Sequence, residues 1–236
     1  MARKPRSRSR RTAGRAAAPA PAGTRDKIVA AFLDLLTEKP FERIELAEIA
    51  DKAGVSLADL RGEFSSTLAI LAAHIKAIDR AALSGGDADM AEESPRERLF
   101  DVLMRRLELL SPHKDAVRSL MRSARRNPGL ALALNRLAVR SQQWMLTAAG
   151  IGAAGPRGMV RAQGLALMFA NVLRVWIDDD DAGQAKTLAA LDRELERGQR
   201  LAGLLDDLCG IPERVCAFTR RARGPRRRGR TERAAA

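Results

Sequence analysis

Leu46-Ala-Glu-Ile-Ala-Asp-Lys-Ala-Gly-Val-Ser-Leu-Ala-Asp-Leu-Arg-Gly-Glu-Phe64 reads as two short helices joined by a tight turn. Leu46, Ile49, Ala50 and Ala53 fall at i, i+3, i+4 and i+7, so one face of a first helix packs inward. Gly54 supplies the backbone freedom needed to leave that helix, and Val55 plugs the corner. Ser56, with Asp59 three residues later, has the form of a capping box that starts a second helix, and Leu60 and Phe64 lie on its buried side. Helix, glycine turn and capped helix form a helix-turn-helix, whose second helix can enter a DNA major groove.

Upstream, a helix over about 25–38 puts Ile28, Ala31, Phe32, Leu35 and Leu36 on one stripe and completes a three-helix head, ended by Pro40. Phe41 and Ile44 tuck beneath it. Downstream, apolar periodicity and Gly/Pro punctuation predict six further helices, over about 66–83, 95–110, 114–126, 130–149, 157–177 and 184–208. The fold class is all-α, a head at 24–70 followed by a helical body at 71–211.

The segment Thr24 to Lys39, the run Ile49-Ala-Asp-Lys-Ala-Gly-Val-Ser56, and Phe64 with the entry to the next helix at 65–71 resemble the TetR family of bacterial regulators. The likeness covers about fifty residues by motif and the rest by helical layout. It implies a homodimer formed through the last two long helices, with two heads on double-stranded DNA and a small apolar ligand in the body. Ser56, Leu57, Ala58, Asp59 and Arg61 would then face the groove, with Thr67 at the phosphate edge. Where the family usually has a tyrosine, a histidine or basic residue, and a lysine, this chain has Arg61, Glu63 and Thr67. Arg61 can reach a phosphate; Glu63 faces a polyanion, and Thr67 removes a cation.

Charge is distributed unevenly. The net +13 resides in the ends: residues 1–23 carry seven Lys or Arg and no acid, and residues 212–236 carry nine Arg and two Glu. The intervening chain is near neutral, and Thr24 to Phe64 is −3, with six basic and nine acidic residues. Both ends read as disordered basic tails, because they cannot bury enough apolar surface to offset ordering. The front arm makes the head region +4, and it reads either as a neutraliser of phosphates beside the groove or as a solubilising tail.

Met104, Met121, Trp144, Met145, Phe169 and Trp176 are candidates to line an apolar pocket in the body, with Asn171 and Arg174 as its polar groups. The alternative is that they fill the core. For the dimer interface the candidates are Leu167, Val172, Leu188, Leu191, Leu195 and Leu205, and the broad stripe of the last helix packs both on its own body and on a second chain. Gly164, Gly198 and Gly203 would allow close approach.

Other chemistry has little support. Gly150-Ile-Gly-Ala-Ala-Gly155 matches the letters of a dinucleotide fingerprint, but it follows a helix with no strand nearby and reads as a loop. Asp178 to Asp181 sit where the positive end of the last helix favours acids, so no metal is assigned. His74 and His113 are the only histidines and have no nucleophile pattern around them, so an enzyme is not expected, nor a cofactor. Cys209 and Cys216 are too few for a disulfide framework, no apolar run reaches membrane length, and the N-terminus lacks the apolar core of a secretory signal. A cytoplasmic location fits best. A rival reading is that the chain kept the fold, lost the operator and binds an apolar molecule, because residues 176–181 and 187–193 are loosely similar to the lipid-binding relatives of coenzyme Q biosynthesis.

Overall fold

In the computed structural model, which describes residues 23–86, 90 and 92–200, the quoted stretch folds as α2 (Leu46–Ala53) and α3 (Leu57–Glu63). Gly54 adopts φ +65°, ψ 39°, the left-handed conformation that lets the Val55 amide reach back to the Ala50 carbonyl at 3.0 Å. Ser56 and Asp59 cap α3 reciprocally. Before them runs α1 (Thr24–Glu38), followed by a 3-10 turn at Phe41–Arg43. Ile28, Phe32, Leu36, Ile49 and Leu60 are at most 2% exposed and form the centre of the head. Phe32 and Phe41 meet edge to face at 6.2 Å.

α4 (Thr67–Ser84) leads into the body. It places Ile70 and Leu71 in the head's core, and Ile78 and Ala82 in a second core built below. That second core is surrounded by α5 (Pro95–Leu110), α6 (Lys114–Arg126), α7 (Pro128–Ala148) and α8 (Gly155–Trp176), and by α9, helical over 185–200. Leu103, Leu107, Met145, Val172, Trp176 and Leu191 are its most enclosed side chains. No strand occurs among the described residues.

The helix ends follow local chemistry. Ser94 and Glu97 make a capping box with Pro95 at the first helical position of α5. Asn127 caps α7 through the Leu130 amide at 3.0 Å, so α7 begins at Pro128, two residues before the start predicted from periodicity. At the other end of α7, Gly150 (φ +74°) and Ile151 bond back to the carbonyls of Thr147 and Leu146, closing the helix. The fingerprint-like glycines are thus a helix stop at Gly150, the loop at Gly152 and the first residue of α8 at Gly155. The expectations for the two basic tails, Gly203, Leu205 and both cysteines lie outside the described residues.

Candidate nucleic-acid interface

The outer face of α3 is open to solvent. Leu57 is 55% exposed, and Ala58, Arg61 and Gly62 are exposed beside it, while Leu60 anchors the inner face. An exposed leucine at the start of such a helix has no partner in the head and is suited to a thymine methyl. Ser56 and Asp59 are turned on each other: the Ser56 amide and hydroxyl donate to Asp59 Oδ2 at 3.2 and 2.6 Å. The Ser56 hydroxyl, then its amide, holds the Asp59 carboxyl below its usual range. These two residues shape the helix start, which leaves Leu57, Ala58 and Arg61 as exposed side chains on the outer face of α3.

Glu63 does not stand alone at the end of α3. Arg25 Nη1 lies 3.1 Å from Glu63 Oε2, and its guanidinium sits 4.4 Å from the centre of the Phe64 ring. An exposed ion pair adds little stability, but it offsets the charge of Glu63, the acid at the end of α3, as Asp59 at its start is held by Ser56. The sequence reading missed Arg25, which lies thirty-eight residues away. Thr67 opens α4 after its cap, Ser66, which accepts from the Ala69 amide at 3.2 Å. The amides of Thr67 and Leu68 have no place in the helix's own ladder, so this end offers a phosphate N–H donors and a positive partial charge without a lysine.

In the body the candidate pocket residues do not converge. Met145, Phe169 and Trp176 interlock in the core, and Met104 and Met121 pack half-buried against it. Trp144, by contrast, is 59% exposed, because it stands one residue beyond the inward stripe that Met145 occupies. Asn171 and Arg174 are exposed and bonded to each other at 3.2 Å, on the outward face of α8 shared with Leu167. Among the polar groups that do enter the core is Arg106. Its guanidinium lies over the Phe169 ring at 4.9 Å and pairs with Asp79, Nε 3.1 Å from Oδ1, and the Ser141 hydroxyl donates to that same Oδ1 at 2.8 Å. Burial pushes the Asp79 carboxyl up, opposed by Arg106 and Ser141.

The interface candidates divide. Leu167 and Leu188 are exposed, in company with Val160 and Met159, and can meet a second chain. Val172, Leu191 and Leu195 are 0%, 1% and 4% exposed, filling their own chain's core, so they are unavailable to a partner. A stripe in steps of three and four does not reveal which chain it packs against.

All four aspartates of the acidic run are engaged. Asp179 Oδ2 accepts from the Thr187 amide and hydroxyl at 2.9 and 2.7 Å, and Asp181 Oδ2 accepts from the Ala185 amide at 3.3 Å. Asp180 faces Lys114 at 3.7 Å, and Asp178 faces Arg118 at 4.0 Å. Asp179 is 2% exposed but lies at the edge of the body, where hydrogen bonds outweigh desolvation; the Thr187 hydroxyl foremost holds its carboxyl below 3.8. His74 and His113 stack edge to face at 4.8 Å, and burial, then the second ring, lowers His74 to about 4. Burial lowers His113 as well, against the raising effect of Asp34.

Clefts on the described surface include two of note. One, of about 530 Å³, runs beside Trp144 and the loop after α7; the other, of about 660 Å³, lies between the 3-10 turn of the head and α6. No family model matches the sequence, and no curated protein does. Solved structures do match. A TetR transcriptional regulator from Nitrosomonas europaea is 21% identical, the match spanning 75% of this chain and 99% of that one at a TM-score of 0.59. A tetR-family transcriptional regulator from Streptomyces coelicolor is 15% identical, over 82% and 88% of the two chains, at a TM-score of 0.52. Three-helix head, linking α4 and helical body together are the TetR-regulator fold, and this chain has it.

Proposed function

We propose that the chain is a transcriptional regulator that binds double-stranded DNA as a homodimer, each head laying α3 in a major groove. The observation that carries this is the open outer face of α3 beside the first turn of α4, with the adjoining acid Glu63 cancelled by Arg25. Leu57, Ala58 and Arg61 supply base-edge and phosphate contacts, and the first-turn amides of α4 hold a phosphate. Leu167 and Leu188 are outward apolar residues on α8 and α9, where a two-fold partner would cover them. Such a dimer reads a pseudopalindrome with half-sites about 34 Å apart or a multiple of that. The regulation is repression, released when an effector with unequal affinity for two dimer shapes changes the separation of the heads.

The test is a gel shift with DNA from upstream of its own coding sequence at low salt, in the presence of unrelated competitor DNA. Wild type retards the fragment, and Arg61→Ala weakens it by at least about fivefold, the scale of one lost charged contact. Failure of wild type to retard it, or displacement by competitor as readily as by the fragment itself, sinks the proposal.

A further inference from the structure

The larger cleft is built by both halves of the molecule. α1 ends at Glu38, and Lys39-Pro40 and the turn Phe41–Arg43 then pass over α6. The contact is pinned at two points, the Phe41 amide donating to Ser123 Oγ at 3.2 Å and the Ser119 hydroxyl to the Lys39 carbonyl at 3.5 Å. Ser119, Arg122, Ser123 and Arg126 occur at i, i+3, i+4 and i+7, so one face of α6 forms a wall. The junction of α6 and α7, Asn127-Pro128, closes the end of the cleft.

Its charges do not cancel internally. Lys39 is held by Glu48 at 2.5 Å, and Glu38 by Lys52 at 2.6 Å, so both are committed within the head. Arg43, Arg122 and Arg126 also line the cleft and are exposed, and the one lining carboxylate left to them is Glu42. Arg122 and Arg126, one turn apart, repel each other. Arg126 offsets the negative end of α6, but Arg122, in the preceding turn, and Arg43, on another element, do not serve that purpose. The positive end of the 21-residue α7, at Asn127-Pro128, opens on the same space.

We propose that this cleft binds a small, multiply charged anion, phosphate- or carboxylate-bearing, gripped by Arg43 of the head and by Arg122 and Arg126 of α6. Guanidinium forks suit both groups, the Ser123 hydroxyl proton is free to donate, and a volume of about 660 Å³ takes a ligand of metabolite size. Because the cations come from both halves, an occupant fixes the attitude of the head on α6. That regulatory consequence rests on the operator-binding reading; the binding itself does not.

Calorimetric titration of the full chain with inorganic pyrophosphate, and separately with citrate, tests it at about 0.15 M salt, where screening within about 8 Å weakens the contribution of the basic ends. Wild type is expected to bind at least one of the two saturably, one per chain, and the responding anion identifies the group. Arg122→Gln with Arg126→Gln weakens binding by at least about tenfold, the loss of two charged hydrogen bonds, and Arg43→Gln on its own weakens it measurably should that double variant not fold. Arg125→Gln, on the same helix but outside the cleft, leaves it unchanged. No saturable binding by wild type, equal binding by the double and Arg43 variants, or an equal loss in Arg125→Gln overturns the proposal. So does loss of duplex DNA affinity in the double variant with anion binding intact, which would make these arginines DNA contacts. Anion binding without operator binding leaves the cleft standing and removes only the operator reading.

Discussion

Two glycines eight residues apart in the helix-turn-helix should respond oppositely to the same chemical change. Gly54 has φ +65°, whereas Gly62 lies within α3, and a Cβ added at either meets nothing within 4 Å. Packing is therefore excluded as a cause, and only the backbone differs. At Gly54 an alanine incurs about 1–2 kcal/mol for a left-handed conformation. That is offset by about 0.4–1 kcal/mol from reduced freedom of the unfolded chain, for a net loss near 1 kcal/mol. At Gly62 the same methyl gains about 0.8–1 kcal/mol of helix propensity. Gly54→Ala and Gly62→Ala should then differ by about 2 kcal/mol, or about 4–8 °C in Tm for a chain of this length. Circular-dichroism melts supported by urea titration measure it, and Gly54→Asn, which tolerates the left-handed region better, should fall between wild type and Gly54→Ala. A Gly54→Ala protein that melts at or above wild type, or two variants that move together, would refute the assignment of this turn.

Arg106→Leu leaves the Asp79 carboxylate, 7% exposed, with Ser141 alone, and should cost about 3–5 kcal/mol by urea unfolding, most of it restored in Asp79→Leu with Arg106→Leu. In the single variant Asp79 loses the cation that opposes its upward shift. A carboxyl raised in the folded state binds protons better folded than unfolded, so that variant should gain stability as pH falls toward 3.8. Asp179 has the opposite sign: its folded value lies below 3.8, so the cap it makes is fully present above 3.8 and lost as pH falls through the folded value. Asp179→Asn should be less stable near neutrality, and the difference should close in acid, which a pH series of melts checks. Leu167→Glu should halve the mass seen by light scattering at unchanged helicity, since Leu167 is 58% exposed in the single chain; a dimer that survives it places the partner elsewhere.

The sequence disclosed the helices and the head because the signals there are local. Ile49, Ala50, Ala53, Gly54, Val55 and Ser56 determine the turn within a few residues of one another, and Pro95, Asn127-Pro128 and Gly150 mark helix ends by their own backbone preferences. What depends on distant partners was hidden. Nothing near Glu63 announces Arg25, and nothing near Arg106 announces Asp79 on α4 and Phe169 on α8. Arg106 reads as a surface residue by type, yet it is 6% exposed. Trp144 reads as core by type, yet its neighbour Met145 holds the inward position. The stripe of α9 showed the same limit, since Leu188 faces out while Leu191 and Leu195 face in.

How the head is mounted follows from where the two cores change hands. Ala116 of α6 is 3% exposed within the head's core, and Leu120 of α6 and Leu134 of α7 pack against it. The head is therefore seated on α6 by apolar contact as well as by the Phe41–Ser123 and Lys39–Ser119 bonds. α4 makes the second attachment, its first half in the head's core and its second half in the body's, with the Ala82 carbonyl held by Arg105 at 2.8 Å. Two attachments at different points therefore hold the head, one on α6 and one on α4. Close-packed contacts of this kind move between discrete arrangements rather than bending smoothly. On the regulator reading proposed above, an effector that moved α6 against α4, whether from the body's core or from the cleft that α6 walls, would reach α3 through α1, which packs on both, and in the proposed dimer a small tilt would become a change of half-site spacing.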